Sequence, residues 1–110
     1  MKHYTVRITR QAKEHLKKIR KYIDEELLNP DAAQKMIAVL KEEISSLSVM
    51  PERITFTEEE PWRSLGIHRM TVKNYYVYFW IDEENKRVQV MAVIYTARDQ
   101  LTQLKMIEIK

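Results

Sequence analysis

A chain of 110 residues without cysteine is expected to form one domain, residues 1–110, with neither disulfides nor thiolate chemistry. With 45% hydrophobic and 32% charged residues it is globular rather than disordered, and one glycine and three prolines argue against a glycine-rich phosphate loop or a flexible linker. The net charge of +3 hides a gradient: residues 1–21 carry +7, residues 22–60 carry −7 and residues 61–110 carry +3, so the first block either attracts a polyanion or forms a solvated helix face. The polar, charged start is not that of a secretory leader, and no apolar run approaches the roughly 20 residues of a membrane span. A soluble cytoplasmic protein without membrane partners is the expectation.

Tyr4, Val6 and Ile8 alternate with Thr5, Arg7 and Thr9, the pattern of a short strand. Thr9 suits a helix N-cap, and Ala12, Leu16, Ile19, Ile23 and Leu27 then recur at three- and four-residue steps, predicting a helix from about residue 10 to Leu28. Lys13, Lys17 and Lys21 lie off that apolar stripe. Asn29-Pro30-Asp31 stops the first helix and starts a second, whose stripe is Ala33, Met36, Ile37, Leu40, Ile44 and Leu47, and which Met50-Pro51 ends. The short connection predicts an antiparallel helical hairpin.

Residues 51–65 show no period, and Trp62 there can pin the loop to the body or bind a ligand. The next stretch reads as strands over about 66–72 and 75–81 around a tight Val72-Lys73-Asn74-Tyr75 turn, with Asn74 tolerating left-handed backbone. This register pairs Val72 with Tyr75, Met70 with Val77 and His68 with Phe79 on a core face. Thr71, Arg69 and Ile67 then lie opposite Tyr76, Tyr78 and Trp80 on the other. Val88 to Tyr95 is the most apolar strand and suits a central position. Leu101, Leu104 and Ile107 suggest a short terminal helix. The fold class is therefore α+β, βααβββ(α), with the helical hairpin on one face of a small, mostly antiparallel sheet and the other face partly open.

No metal site stands out: His3, His15 and His68 are scattered without ligand spacing, His15 reads as solvated, and His68 falls on the core face. No glycine-flanked serine supports a serine nucleophile. Glu58, Glu59 and Glu60 can supply a general base or form a solvated acidic loop. The remaining constellation is Arg69 and Arg98 with Tyr76, Tyr78 and Trp80. Arginine grips phosphate bidentately and aromatic faces stack on unpaired bases, but the same residue types also make protein interfaces.

Taken in order, Tyr4–Ile8 with the Arg10-Gln11-Ala12-Lys13 helix start, the Leu28-Asn29-Pro30 break, Gly66-Ile67-His68-Arg69, Val72-Lys73-Asn74-Tyr75 and Tyr95-Thr96-Ala97-Arg98-Asp99 resemble the RelE/ParE superfamily of bacterial type II toxins over about residues 3–104. The resemblance implies a toxin neutralised by a cognate antitoxin. RelE-like members cut mRNA on the ribosome, and ParE-like members inhibit DNA gyrase without cutting RNA. Carried over as a nuclease, Arg69 and Arg98 would stabilise the phosphorane-like transition state and Glu59 or Tyr78 would move protons. Tyr76 or Tyr78 would stack on a base, with Trp80 beside them, and Lys13, Lys17 and Lys21 would meet ribosomal RNA phosphates. The reaction, attack of a 2′-OH on the adjacent phosphate, would need no metal or other cofactor.

Some positions depart from the nuclease pattern. Tyr76 stands where the nucleases have arginine, and no tyrosine or histidine follows Tyr95. Ribosome-dependent mRNA cleavage is the leading expectation, carried by the two arginines and the aromatic row. Non-enzymatic gyrase inhibition is the alternative, favoured by the missing C-terminal side chains, and a degenerate toxin that only binds its antitoxin is the third.

Overall fold

The computed structural model describes residues 3–97. Its four strands, β1 (Thr5–Ile8), β2 (Ile67–Val72), β3 (Tyr75–Asp82) and β4 (Arg87–Tyr95), form one sheet in the order β1-β4-β3-β2. The β2–β3 and β3–β4 pairs are antiparallel and β1 runs parallel to β4. Helices α1 (Arg10–Lys21) and α2 (Pro30–Ser45) pack on one sheet face, as the βααβββ pattern predicts. The expected terminal helix lies outside the described residues.

Both helices start where their caps dictate. The Thr9 hydroxyl accepts the Ala12 N–H at 3.3 Å, and Asn29 Oδ1 accepts the Ala32 N–H at 3.1 Å, with Pro30 at the first helical position. The first helix does not run regularly to Leu28. It changes at Tyr22–Glu26 to a π-helical turn, which sets its stripe out of phase after the buried Ile23. Leu27 is therefore turned outward, 56% exposed, against the sequence expectation. Leu28 takes a left-handed φ of 52°, and the Asn29 N–H closes the end onto the Ile23 carbonyl. The second helix gives way at Ser46–Ser48 to a 3₁₀ turn that seats Leu47 in the core.

The β2–β3 register pairs Val72 with Tyr75, Met70 with Val77, His68 with Phe79, Thr71 with Tyr76, Arg69 with Tyr78 and Ile67 with Trp80, as read from the sequence. The turn differs in one respect. Lys73, not Asn74, carries the positive φ, 54°, because it occupies the first central position, where a tight hairpin turn of this kind requires it. In β4 the register slips opposite Tyr78 and Phe79: Tyr78 pairs with Ala92 and Phe79 with Val90, leaving Met91 as an extra residue. The bulge reverses the side-chain alternation. Val88 and Val90 before it and Val93 after it join the core under the helices, whereas Met91, Ala92 and Ile94 join a second cluster on the opposite face. An unbroken apolar run results from two short alternating segments out of phase.

The opposite face is partly covered, with Arg69, Tyr76 and Trp80 left partly exposed. Trp62, 6% exposed, packs there with Ile67, Tyr78, Met91, Ala92 and Ile94. The loop carrying Trp62 is tied along the outer edge of β2 by the Thr57 N–H to the Ile67 carbonyl at 2.9 Å and the Arg69 N–H to the Thr55 carbonyl at 3.2 Å. At the other edge, β1 is shorter than β4. Beyond it α1 covers β4, and His15 Nδ1 accepts the Val93 N–H at 3.1 Å. His15 thus holds a strand edge and is not the solvated side chain expected.

Leu40 is fully buried in the core cluster between helices and sheet, so shortening it leaves a cavity. Leu40→Ala is expected to lower unfolding free energy by about 2–5 kcal/mol, read as a lower urea midpoint at unchanged slope. His68 is 7% exposed, stacked between Phe56 and Phe79 at 4.4 and 5.0 Å, and its Nδ1–H donates to the Ile54 carbonyl at 2.8 Å. Burial lowers its pKa in the folded state, outweighing that bond. As pH falls through the ordinary value of about 6.5, the unfolded chain takes up a proton that the folded chain refuses. Stability should fall from there down to the folded-state value and then level off. Urea midpoints between pH 7.5 and 5 should drop more for the native chain than for His68→Phe.

Candidate functional site

Strand alternation puts Arg69 of β2 and Tyr76 and Tyr78 of β3 on the face opposite the helices, and the loop from Pro51 to Gly66 adds Glu59 to them. Arg69 Nη1 lies 3.3 Å from Glu59 Oε2, and the side chains are 22% and 15% exposed. The Thr57 hydroxyl, itself fully buried, donates to the other Glu59 oxygen. The Arg69 guanidinium carbon lies 4.3 Å from the centre of the Tyr76 ring, a cation–π contact, and Tyr76 meets Tyr78 edge-on at 6.3 Å. Glu60 accepts the Ser64 N–H and hydroxyl at 3.0 and 2.8 Å, bonds that lower its pKa and close the turn before Gly66.

This arrangement limits what the cluster can do. The Arg69 charge is already matched by a carboxylate whose geometry Thr57 holds, so an incoming phosphate would meet a locally neutral pair and repulsion from Glu59. Tyr78 has no exposed surface, and burial followed by the nearby Glu59 charge pushes its pKa up, with Arg69 opposing. Trp80 is partly buried beside Tyr76 at the edge of the second cluster, and its indole lies against Gly66. Of the residues singled out from sequence, Arg69, Glu59, Tyr76 and Tyr78 therefore meet and Trp80 flanks them. Arg98 lies outside the described residues.

Lys13, Lys17 and Lys21 form an exposed row on α1, away from this cluster, with Lys17 3.8 Å from Glu14. Sequence reasoning missed Thr57 as the residue that orients Glu59, and Arg7, Arg10 and Gln89, which share a surface cavity with Lys13. A β-branched hydroxyl immediately before the acidic run, two residues from Glu59, was the one local signal for Thr57. Gln89 joins Arg7 only through the parallel β1–β4 register, which local pattern does not encode. Among the described residues, no group of three or more His, Asp or Glu side chains is placed to hold a metal ion, and no helix is long and apolar enough to cross a membrane.

Similar architecture occurs in solved structures. The chromosomal ParDE toxin-antitoxin system from P. aeruginosa matches with a TM-score of 0.70 at 19% identity, over 84% of this chain and 96% of that one. The toxin-antitoxin complex RelBE2 from Mycobacterium tuberculosis matches with a TM-score of 0.59 at 24% identity, over 84% of this chain and 98% of that one. The E. coli toxin RelE, as a double arginine-to-alanine mutant in the free state, matches with a TM-score of 0.55 at 16% identity, over 92% of each chain. At these identities the likeness speaks for the fold. Among curated proteins, none matches the sequence. The family model described as the ParE toxin of the type II toxin-antitoxin system parDE matches residues 6–100, most of the chain. The chain belongs to the ParE toxin family of type II toxin-antitoxin systems.

Proposed function

We propose that this toxin arrests growth without catalysis, by binding DNA gyrase, and that a cognate antitoxin neutralises it. The observation that carries the reading is the Arg69–Glu59 pair at 3.3 Å. A metal-independent ribonuclease needs an uncompensated cation at the scissile phosphate and a reachable proton carrier. Among the described residues the candidate cation, Arg69, is paired, and the buried Tyr78 has no face toward solvent. A docking surface needs neither group free. Its need is a rigid, preformed shape, and the Thr57–Glu59–Arg69–Tyr76 chain of contacts holds one. The match to the ParE family model supports the same choice. The ParDE and RelBE2 neighbours, both toxin-antitoxin assemblies, support the antitoxin partner.

A pulse of expression in a bacterial host, with DNA and protein synthesis followed by separate labels, tests the reading. DNA synthesis is expected to stop first with mRNA intact, and the purified chain is expected to inhibit supercoiling by purified gyrase. Arg69→Lys keeps a charge for Glu59 but loses the planar fork, and should change that inhibition only a few-fold. A nuclease relying on Arg69 for transition-state charge would lose about 10²–10³-fold with the same substitution. Translation stopping first, with mRNA ends at A-site codons, would overturn the proposal, as would soluble protein that stops neither synthesis.

A further inference from the structure

Where β1 passes into α1, Arg7, Ile8, Thr9, Arg10 and Lys13 line a surface cavity of about 310 Å³ with Gln89 of β4. Its three cations come from two elements. Arg7 lies on the sheet, in register with Gln89, and Arg10 and Lys13 stand on the first turns of α1. The first turn of that helix holds no acidic residue. Among the described residues none of the three cations is in an ion pair, and the nearest carboxylate along α1, Glu14, faces Lys17 at 3.8 Å. Three like charges around one concavity repel one another until an anion enters it. Two guanidinium forks, an ammonium and a carboxamide make a donor set suited to the tetrahedral oxygens of a phosphate.

We propose that this cavity binds a backbone phosphate of a nucleic acid. Two features favour a polynucleotide over an acidic protein segment. From Lys13 the exposed cations continue to Lys17 and Lys21, at steps of about 6 Å along the helix axis, so a chain carrying regular charges can follow them. Across the sheet, Gln89 pairs with Trp80, a partly exposed aromatic about two strand spacings, roughly 10 Å, from Arg7, within reach of a base beside the bound phosphate. The cavity shares no residue with the Arg69–Glu59 pair and does not depend on the gyrase reading.

Fluorescence anisotropy of the full chain with a fluorescein-labelled 12-nucleotide single strand, at 50 to 200 mM salt, tests the proposal. Arg7→Gln/Arg10→Gln should weaken binding by roughly tenfold or more and reduce the salt slope by about 1.4. Lys18→Gln/Lys35→Gln removes the same charge from exposed positions outside the cavity and should weaken binding less than about threefold. Circular dichroism confirms that both pairs fold. Equal losses in the two pairs would overturn the proposal, because the charge would then act diffusely. So would an absence of binding at 50 mM salt, or a labelled poly-glutamate peptide that binds as tightly and loses as much with the cavity pair.

Discussion

Burial of β4 on both faces is the constraint on which the rest of the molecule depends. Its helix-side residues, Val88, Val90 and Val93, meet α1, α2 and β3, and its other residues, Met91, Ala92 and Ile94, meet Trp62 and Tyr78. A strand can serve two cores in this way only if both are built around it. The hairpin of helices makes one, and the loop from Pro51 to Gly66 makes the other. The bulge at Met91 lets one strand present apolar residues to each in turn. The uncovered edge of β4 beyond β1 is closed by the imidazole of His15, so a side chain takes the place of a strand.

The same loop that completes the second core also determines the electrostatics of the candidate site. By laying Glu59 against Arg69 it converts a cation on a sheet face into a neutral, oriented pair stacked on Tyr76. By laying Trp62 over Tyr78 it withdraws a phenol from solvent. One segment thus both seals the second core and pairs Arg69 with a carboxylate. Among the described residues, unpaired positive charge gathers instead around the cavity between Arg7, Arg10 and Lys13, which no described carboxylate lines.

Much of this was legible in the chain because it is local. The caps at Thr9 and Asn29, the stripe of α2 and the whole β2–β3 register follow from side-chain spacing and a two-residue turn, which involve residues close in sequence. The aromatic row does share a face with Arg69, but Tyr78 within it is buried while Tyr76 and Trp80 stay partly exposed. Whether Tyr76, Tyr78 and Trp80 are open depends on where an aperiodic loop folds back, and aperiodic sequence carries no signal for that.

The sequence by itself determined the order of elements, the helix starts, the hairpin register and the residue types on each sheet face, all set by local backbone preference and hydrophobic period. Only the tertiary structure decided that β1 runs parallel beside β4, that the first helix slips into a π turn before Leu27, that His15 holds a strand edge and that Glu59 neutralises Arg69. Each of these depends on groups brought together across the fold or on competition between packing and helix geometry. Those energies arise only when the distant segments meet.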